Sequence, residues 1–359
     1  MSGVYICYPF CSQKCSFCNF ASGVFSAAAQ RAYEGRLLSE IQAHGWDWQP
    51  ETAYLGGGTP SLMPLELLRA IMHAIPGQKL GETTIECAPG TIDSEKIRAW
   101  AEAGINRVSL GVQSFVTSEL RQVGRRHTAE IVEAEIKLLR QFGIENINID
   151  LIAGLPGQTF ASWKESLDWI ERLAPPHVSV YLFEIDEDSR LGKEALAGGM
   201  RYGAGILPSD EAAAEFYEQA VERLQGCGIE RYEISNFGRP GWESRHNLKY
   251  WRLEPYIGFG VDAHSFDGRE RWSNPESPAE YLEWEGHRPR TASDVEEERF
   301  FAGLRLMEGI EPAEHEWLRF AEPIDKWVQA GYLERSGARL RLAPQGVLVS
   351  NEIFQDFVA

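Results

Sequence analysis

Cys11, Cys15 and Cys18 stand as C-x3-C-x2-C in the run V-Y-I-C-Y-P-F-C-S-Q-K-C-S-F-C-N-F, directly after a short apolar strand pattern. Three thiolates on one tight loop can each take an iron of a [4Fe-4S] cluster, which leaves the fourth iron open to a small molecule. Zinc is the competing reading. A structural zinc site wants four ligands, commonly two C-x2-C pairs, and no second pair follows Cys18; Cys7 could supply a fourth thiolate only at an unusual spacing. Disulfides are disfavoured because six cysteines in 359 residues are sparse, and Cys87 and Cys227, alone in apolar surroundings, are expected as core thiols.

Further residues with chemical potential follow other strand patterns. Gly56, Gly57, Gly58 and Thr59 follow the second, Glu86 ends the third, Gln113 follows the fourth and Asp150 ends the fifth. Glycines let a ligand approach the backbone where a Cβ would block it, though a glycine triplet is often only a turn.

The elements that must position these residues alternate in the order of βαβ units. Strands are expected at 4–7, 52–55, 83–87, 107–110, 146–151 and 178–183, and helices with apolar spacings of three and four at 33–44, 64–74, 94–103, 129–142 and 160–173. Six repeats within residues 1–185 fit an incomplete (β/α)6 TIM-like barrel, with an open doubly wound sheet as the alternative. Either places the ligand site at the C-terminal ends of the strands.

Thirty-five basic against fifty-three acidic residues give a net charge of −18, which repels a phosphate backbone, so no nucleic-acid partner is expected. No apolar run of about eighteen residues and no signal-peptide pattern are present, so the expectation is a cytoplasmic protein without a membrane span.

The Cys loop, G-G-G-T-P, L-G-V-Q-S-F, N-I-D-L-I-A-G-L-P-G-Q-T and the later S-R-H-N-L-K-Y-W together resemble the radical S-adenosylmethionine (SAM) proteins related to oxygen-independent coproporphyrinogen III dehydrogenase, and among them the haem chaperone branch. The resemblance implies that Cys11, Cys15 and Cys18 ligate the cluster and that SAM chelates the open iron, its sulfonium beside the cluster for one-electron cleavage. It further implies that Gly56 to Thr59 and Glu86 hold the amino group of SAM, that Arg125 (with Arg126 beside it) pairs with its carboxylate, that Gln113 and Asp150 stand near the ribose, and that Tyr5 is an aromatic neighbour. Cys7 stands where the family usually carries His.

The decarboxylating enzymes of the family resemble one another in an N-terminal lid and in a fourth Cys two residues after the triplet; here residue 20 is Phe and ten residues precede Cys11. The expected function is therefore that of a chaperone which binds haem and transfers it to an acceptor protein. The alternatives are a radical SAM enzyme decarboxylating coproporphyrinogen III and a structural cluster or zinc protein.

Residues 186–290 form a connecting region whose H-N-x-x-Y-W segment, implicated by the resemblance in haem binding, makes His246 the first candidate axial ligand, ahead of His264. Beyond it, helices at 296–307 and 321–330 and a hairpin of 332–334 with 339–342 read as a winged-helix-like α+β domain over 291–359. Its candidate recognition helix carries only Lys326 as a basic residue, so a packing or partner role is expected.

Overall fold

The structure, a computed structural model, describes residues 2–77, 79–286 and 289–358. Six strands carry the candidate site: β1 (Gly3–Tyr8), β2 (Thr52–Gly57), β3 (Glu82–Cys87), β4 (Arg107–Gln113), β5 (Asn146–Ala153) and β6 (His177–Leu182). They pair in chain order, each parallel to the next. Between them run the helices Ala27–Ala43, Leu65–Ala74, Ser94–Glu102, Ala129–Gln141 and Phe160–Leu173. A doubly wound sheet reverses its strand order at a switch point. The unbroken order here is that of a barrel.

The barrel does not close. Six later strands prolong the sheet instead: β7 (Glu230–Arg231) and β8 (Asn236–Gly238) lie beyond β6, while β9 (Tyr256–Phe259), β10 (His264–Phe266), β11 (Glu270–Ser273) and β12 (Thr291–Ala292) lie beyond β1. Strands from the connecting region thus extend both edges of the β1 to β6 sheet.

Strand alternation sorts the side chains into two environments. Val4, Ile6, Leu55, Ile85, Val108, Ile147, Ile149 and Val180 are fully buried on the convex face, packed with Leu37, Ile71, Trp100 and Trp163 from the helices. Each such aliphatic side chain stabilises the fold by about 1.5–3 kcal/mol relative to exposure. The alternate residues Tyr5, Tyr54, Glu86, Ser109, Asn148, Asp150 and Ser179 face the concave side, and most meet in hydrogen bonds there. The convex face holds the barrel together, and the concave face is free for chemistry.

At the C-terminal end, helices Val295–Gly303 and Ala321–Gln329 pack with an antiparallel hairpin, β13 (Leu333–Ser336) and β14 (Arg339–Leu342), around the stacked rings of Phe300 and Phe357. The first helix stops short of Met307 because the chain turns back so that Ile310 can bridge Leu340. Lys326 is tied to Asp356 at 2.5 Å, Arg341 to Glu334 at 2.7 Å and Arg339 to Glu311 at 2.6 Å. These three basic groups are paired with acids of the same unit. Cys87 is buried as expected, whereas Cys227 is only half-buried, because it caps the C-terminus of the helix Asp210–Gly226 at the surface.

Candidate metal centre and cofactor site

The Cys loop leaves the C-terminal end of β1 and is clamped at both ends. The Cys11 N–H donates to the Gly23 carbonyl at 2.8 Å, Gly23 N–H to the Pro9 carbonyl at 2.9 Å, and Ser16 N–H to the Val123 carbonyl at 3.2 Å. Cys11, Cys15 and Cys18 are free and half-buried. Burial raises the pKa of the Cys11 thiol, hydrogen bonds with Thr59 and Ser22 oppose that, and the neighbouring Cys18 and Cys15 raise it further. Anionic thiolates gathered this way repel one another unless a cation compensates them. Among the described residues no three His, Cys, Asp or Glu side chains converge closely enough to hold a single metal ion. Three thiolates on one loop are a donor set that suits a [4Fe-4S] cluster, one iron to each.

The second strand is fastened to this loop. Gly58 N–H donates to the Tyr8 carbonyl and Thr59 N–H to the Phe10 carbonyl, both at 2.9 Å. A Cβ on Gly58 would lie 2.6 Å from the Pro9 carbonyl carbon, and Gly57 has φ +106°, with the Cys7 sulfur 2.8 Å from where its Cβ would stand. No larger residue fits either position. Cys7 is thereby wedged against Gly57, and burial, followed by the charges of Asp262 and Glu86, pushes its pKa far up. It sits as a neutral thiol in a filled slot.

Glu86, at the end of β3, accepts from the Tyr54 hydroxyl at 2.9 Å. Burial pushes its pKa up to about 7 against the Tyr54 and Gly57 hydrogen bonds, with the Asp150 charge adding to the rise. Asp150 is raised by burial too, opposed by hydrogen bonds from Ser179, Asn148 and Ser109. Asn148 binds Asp150 at 2.7 Å and Ser109 at 2.8 Å, which fixes the carboxylate's orientation. Two half-buried acids facing one concavity make it receptive to a cationic ligand.

Arg125 and Gln113 meet over Gly111. The Arg125 guanidinium donates to the Gly111 carbonyl at 2.5 Å while its buried Nε has no partner. Gln113 holds a left-handed φ of +70° where the β4–β5 register shifts, a cost that clusters at functional sites. Arg126, its neighbour, is exposed, whereas Arg125 is half-buried. Tyr5 stacks on Tyr54 with ring centroids 6.2 Å apart. The Cys loop, Gly56 to Thr59, Glu86, Gln113, Arg125, Asp150 and Tyr5 therefore border one concavity at the C-terminal ends of the strands.

His246 is not among them. It lies in the helix Arg245–Trp251 at the opposite end of the barrel, beside Gly3, Thr52 and Glu82, which begin β1, β2 and β3. Its Nδ1 bonds the Thr52 hydroxyl at 2.8 Å and its Nε2 the Tyr250 hydroxyl at 2.8 Å, and the residue is 1% exposed. Burial, aided by Lys249 and Arg107, lowers its pKa to about 3. Both ring nitrogens of this haem candidate are thus engaged in hydrogen bonds. Its helix is seated by Glu82, which accepts from the backbone N–H groups of Arg245 and His246 at 3.0 and 2.9 Å.

Sequence reasoning missed Tyr54, Asn148 and Ser179. The signal was present in the alternation of Asn146, Asn148 and Asp150 with Ile147, Ile149 and Leu151, which marks a strand with one polar face.

An incomplete parallel barrel with a C-x3-C-x2-C loop at the end of β1 defines the radical SAM class, and the family model described as Radical SAM superfamily matches residues 5–170. The chain is 33% identical to heme chaperone HemW of Bacillus subtilis, over 100% of this chain and 99% of that protein, and 32% identical to the Lactococcus lactis protein of the same name, over 99% and 97%. It belongs to the HemW family of radical SAM proteins. Coproporphyrinogen III oxidase (HemN) from Escherichia coli, a solved structure, superposes with a TM-score of 0.83 at 22% identity, covering 99% of this chain and 89% of that one, and so has the same fold.

Proposed function

We propose that this chain is a haem chaperone: it binds haem, carries a [4Fe-4S] cluster with SAM, and passes haem to an acceptor protein. The observation that carries the reading is the similarity to curated haem chaperones over essentially the whole chain, site and flanking regions alike. In this reading Cys11, Cys15 and Cys18 hold the cluster, and Glu86 with the Gly56 to Thr59 backbone receives the ammonium group of SAM. Arg125 receives its carboxylate, and Gln113 and Asp150 the ribose hydroxyls. The bound pair supplies one-electron chemistry when a reductant is available. What the protein contributes is electrostatic and steric: two half-buried acids matched to a cation, glycines that admit the ligand to the backbone, and a guanidinium held by the Gly111 carbonyl.

Phe20, two residues after Cys18, is 66% exposed beside the loop, where the decarboxylating enzymes are expected to carry a further thiol. Reconstituted protein incubated in parallel with haem and with coproporphyrinogen III, under reductant and SAM, separates carrier from catalyst. Retention of haem and its release to an apo-haem protein are expected. A decarboxylated porphyrinogen product would overturn the reading.

A further inference from the structure

Behind Asp150 the concave face carries a row of polar side chains that ends on a buried histidine. Strand register sets Ser109, Asn148 and His177 side by side, with Asp150 beside Ser179 one step nearer the C-terminal ends. Asn148 and His177 are 2% and 0% exposed, so their hydrogen bonds are made within the protein.

Asn148 holds Asp150 through its amide nitrogen, Nδ2 to Oδ1 at 2.7 Å, and the same nitrogen reaches Ser109 Oγ at 2.8 Å and Ser179 Oγ at 3.0 Å. Turned over, the amide would set its own oxygen against the Asp150 carboxylate, acceptor facing acceptor. The group that prevents this lies on the other side of the amide, where His177 Nδ1 stands 2.7 Å from Asn148 Oδ1. His177 Nε2 in turn lies 3.0 Å from the Tyr232 hydroxyl, whose oxygen accepts from the Ser244 N–H at 3.2 Å. The hydroxyl proton is thereby directed to Nε2, so in the neutral ring Nδ1 carries the proton and donates to Oδ1. Burial, aided by the Arg107 charge, lowers the pKa of His177 and keeps that ring neutral. The Ser244 backbone thus sets the tautomer, the tautomer sets the amide, and the amide sets the carboxylate.

We infer that His177 is a positioning residue of the SAM site: its Nδ1–H locks the Asn148 amide, so that Asp150 is held as an acceptor for the ribose hydroxyls. This rests on the reading that SAM binds the concavity with Asp150 at its ribose, and adds the group that orients Asp150. The chain of bonds also explains why a histidine stands at the start of β6. A residue needed only to fill space there would use neither nitrogen, whereas this one uses both, each in a fixed role.

Amide side chains separate the two nitrogens, because Asn can place an N–H where Nδ1 stands and Gln where Nε2 stands. The full chain, anaerobically reconstituted, is titrated by calorimetry with SAM and with S-methylmethionine, a sulfonium amino acid that lacks the ribose. The wild type is expected to bind SAM the more tightly. His177→Gln should bind SAM about tenfold more weakly, the scale of one misplaced buried acceptor, with its affinity for S-methylmethionine unchanged. His177→Asn should keep SAM affinity near the wild-type value. Tyr232→Phe, at a half-buried position, frees the tautomer and should weaken SAM in the same selective way, which carries the test if His177→Gln does not fold. Wild-type SAM affinity in either folded variant, equal loss of both ligands, or His177→Asn as weak as His177→Gln overturns the inference and leaves the SAM site standing. A wild type that binds SAM no more tightly than S-methylmethionine removes Asp150 from the ribose and overturns both.

Discussion

The two ends of the barrel use similar side chains for opposite purposes. At the C-terminal end, half-buried thiols, two half-buried acids and an arginine with an unpartnered Nε border an open concavity. At the N-terminal end, His246, Thr52, Tyr250, Ser244 and Glu82 are joined in a closed hydrogen-bonded set that seats the helix Arg245–Trp251. A buried polar group that is fully paired stabilises and specifies structure, and one left unpaired is costly unless a ligand completes it. Residue type marks chemical potential. Whether partners are already taken decides its use.

The comparison can be broken most forcefully at the open end. Cys15→Ala should leave the fold intact and abolish retention of the roughly four irons of a [4Fe-4S] cluster, measured by iron content and visible absorption after anaerobic reconstitution. Zinc bound in place of iron would remove the cluster from the account.

At the closed end the effect should be structural. His246→Ala strands Thr52 and Tyr250 in the interior and should destabilise the protein by about 2–4 kcal/mol, read by chemical denaturation. A specific loss of haem ligation without loss of stability would place His246 at the haem site. Because its folded pKa of about 3 lies below the usual 6.5, the unfolded chain takes up the proton first, and this contribution to stability is lost progressively as pH falls from about 6.5 toward 3.

Glu86 has the opposite sign. Its folded pKa of about 7 lies above the ordinary value of 4.5, so the folded state binds the proton more tightly, and the ligand-free protein gains stability from this group as pH falls from 7 toward 4.5. SAM binding should run the other way, weakening below pH 7 as the carboxylate loses its charge. Glu86→Gln should raise the melting temperature of the ligand-free protein at pH 8 and lower SAM affinity about tenfold, the scale of one lost charge-assisted hydrogen bond. Calorimetry across pH checks both, and unaltered affinity would dismiss the assigned role.

The smallest effect concerns the joint between β2 and the Cys loop. Gly57→Ala forces a left-handed residue and a contact with the Cys7 sulfur, and should cost about 1–2 kcal/mol. Pairing it with Cys7→Ala should recover the part of that cost due to crowding, measured as a double-mutant cycle.

Much of the barrel was legible from local pattern. The helix expected at 160–173 begins and ends there, where Thr159 supplies a capping box and Ala174 turns left-handed. The strand expected at 107–110 was too short, because the register shift and the strained Gln113 that carry β4 onward depend on its pairing with β5. No local signal revealed that β9 to β12 would continue the sheet past β1, since short strands owe their existence to the edge they pair with.

By itself the sequence determined the Cys triplet, the alternation that makes one barrel face polar, and the acids and glycines at the strand ends; these are properties of spacing along one chain. Tertiary structure alone decided how His246 is held. The helix carrying His246 is docked onto three strand starts, where Thr52 bonds one of its ring nitrogens while Tyr250 of the same helix bonds the other. Burial and partner geometry join residues some two hundred positions apart, and no local pattern encodes that pairing.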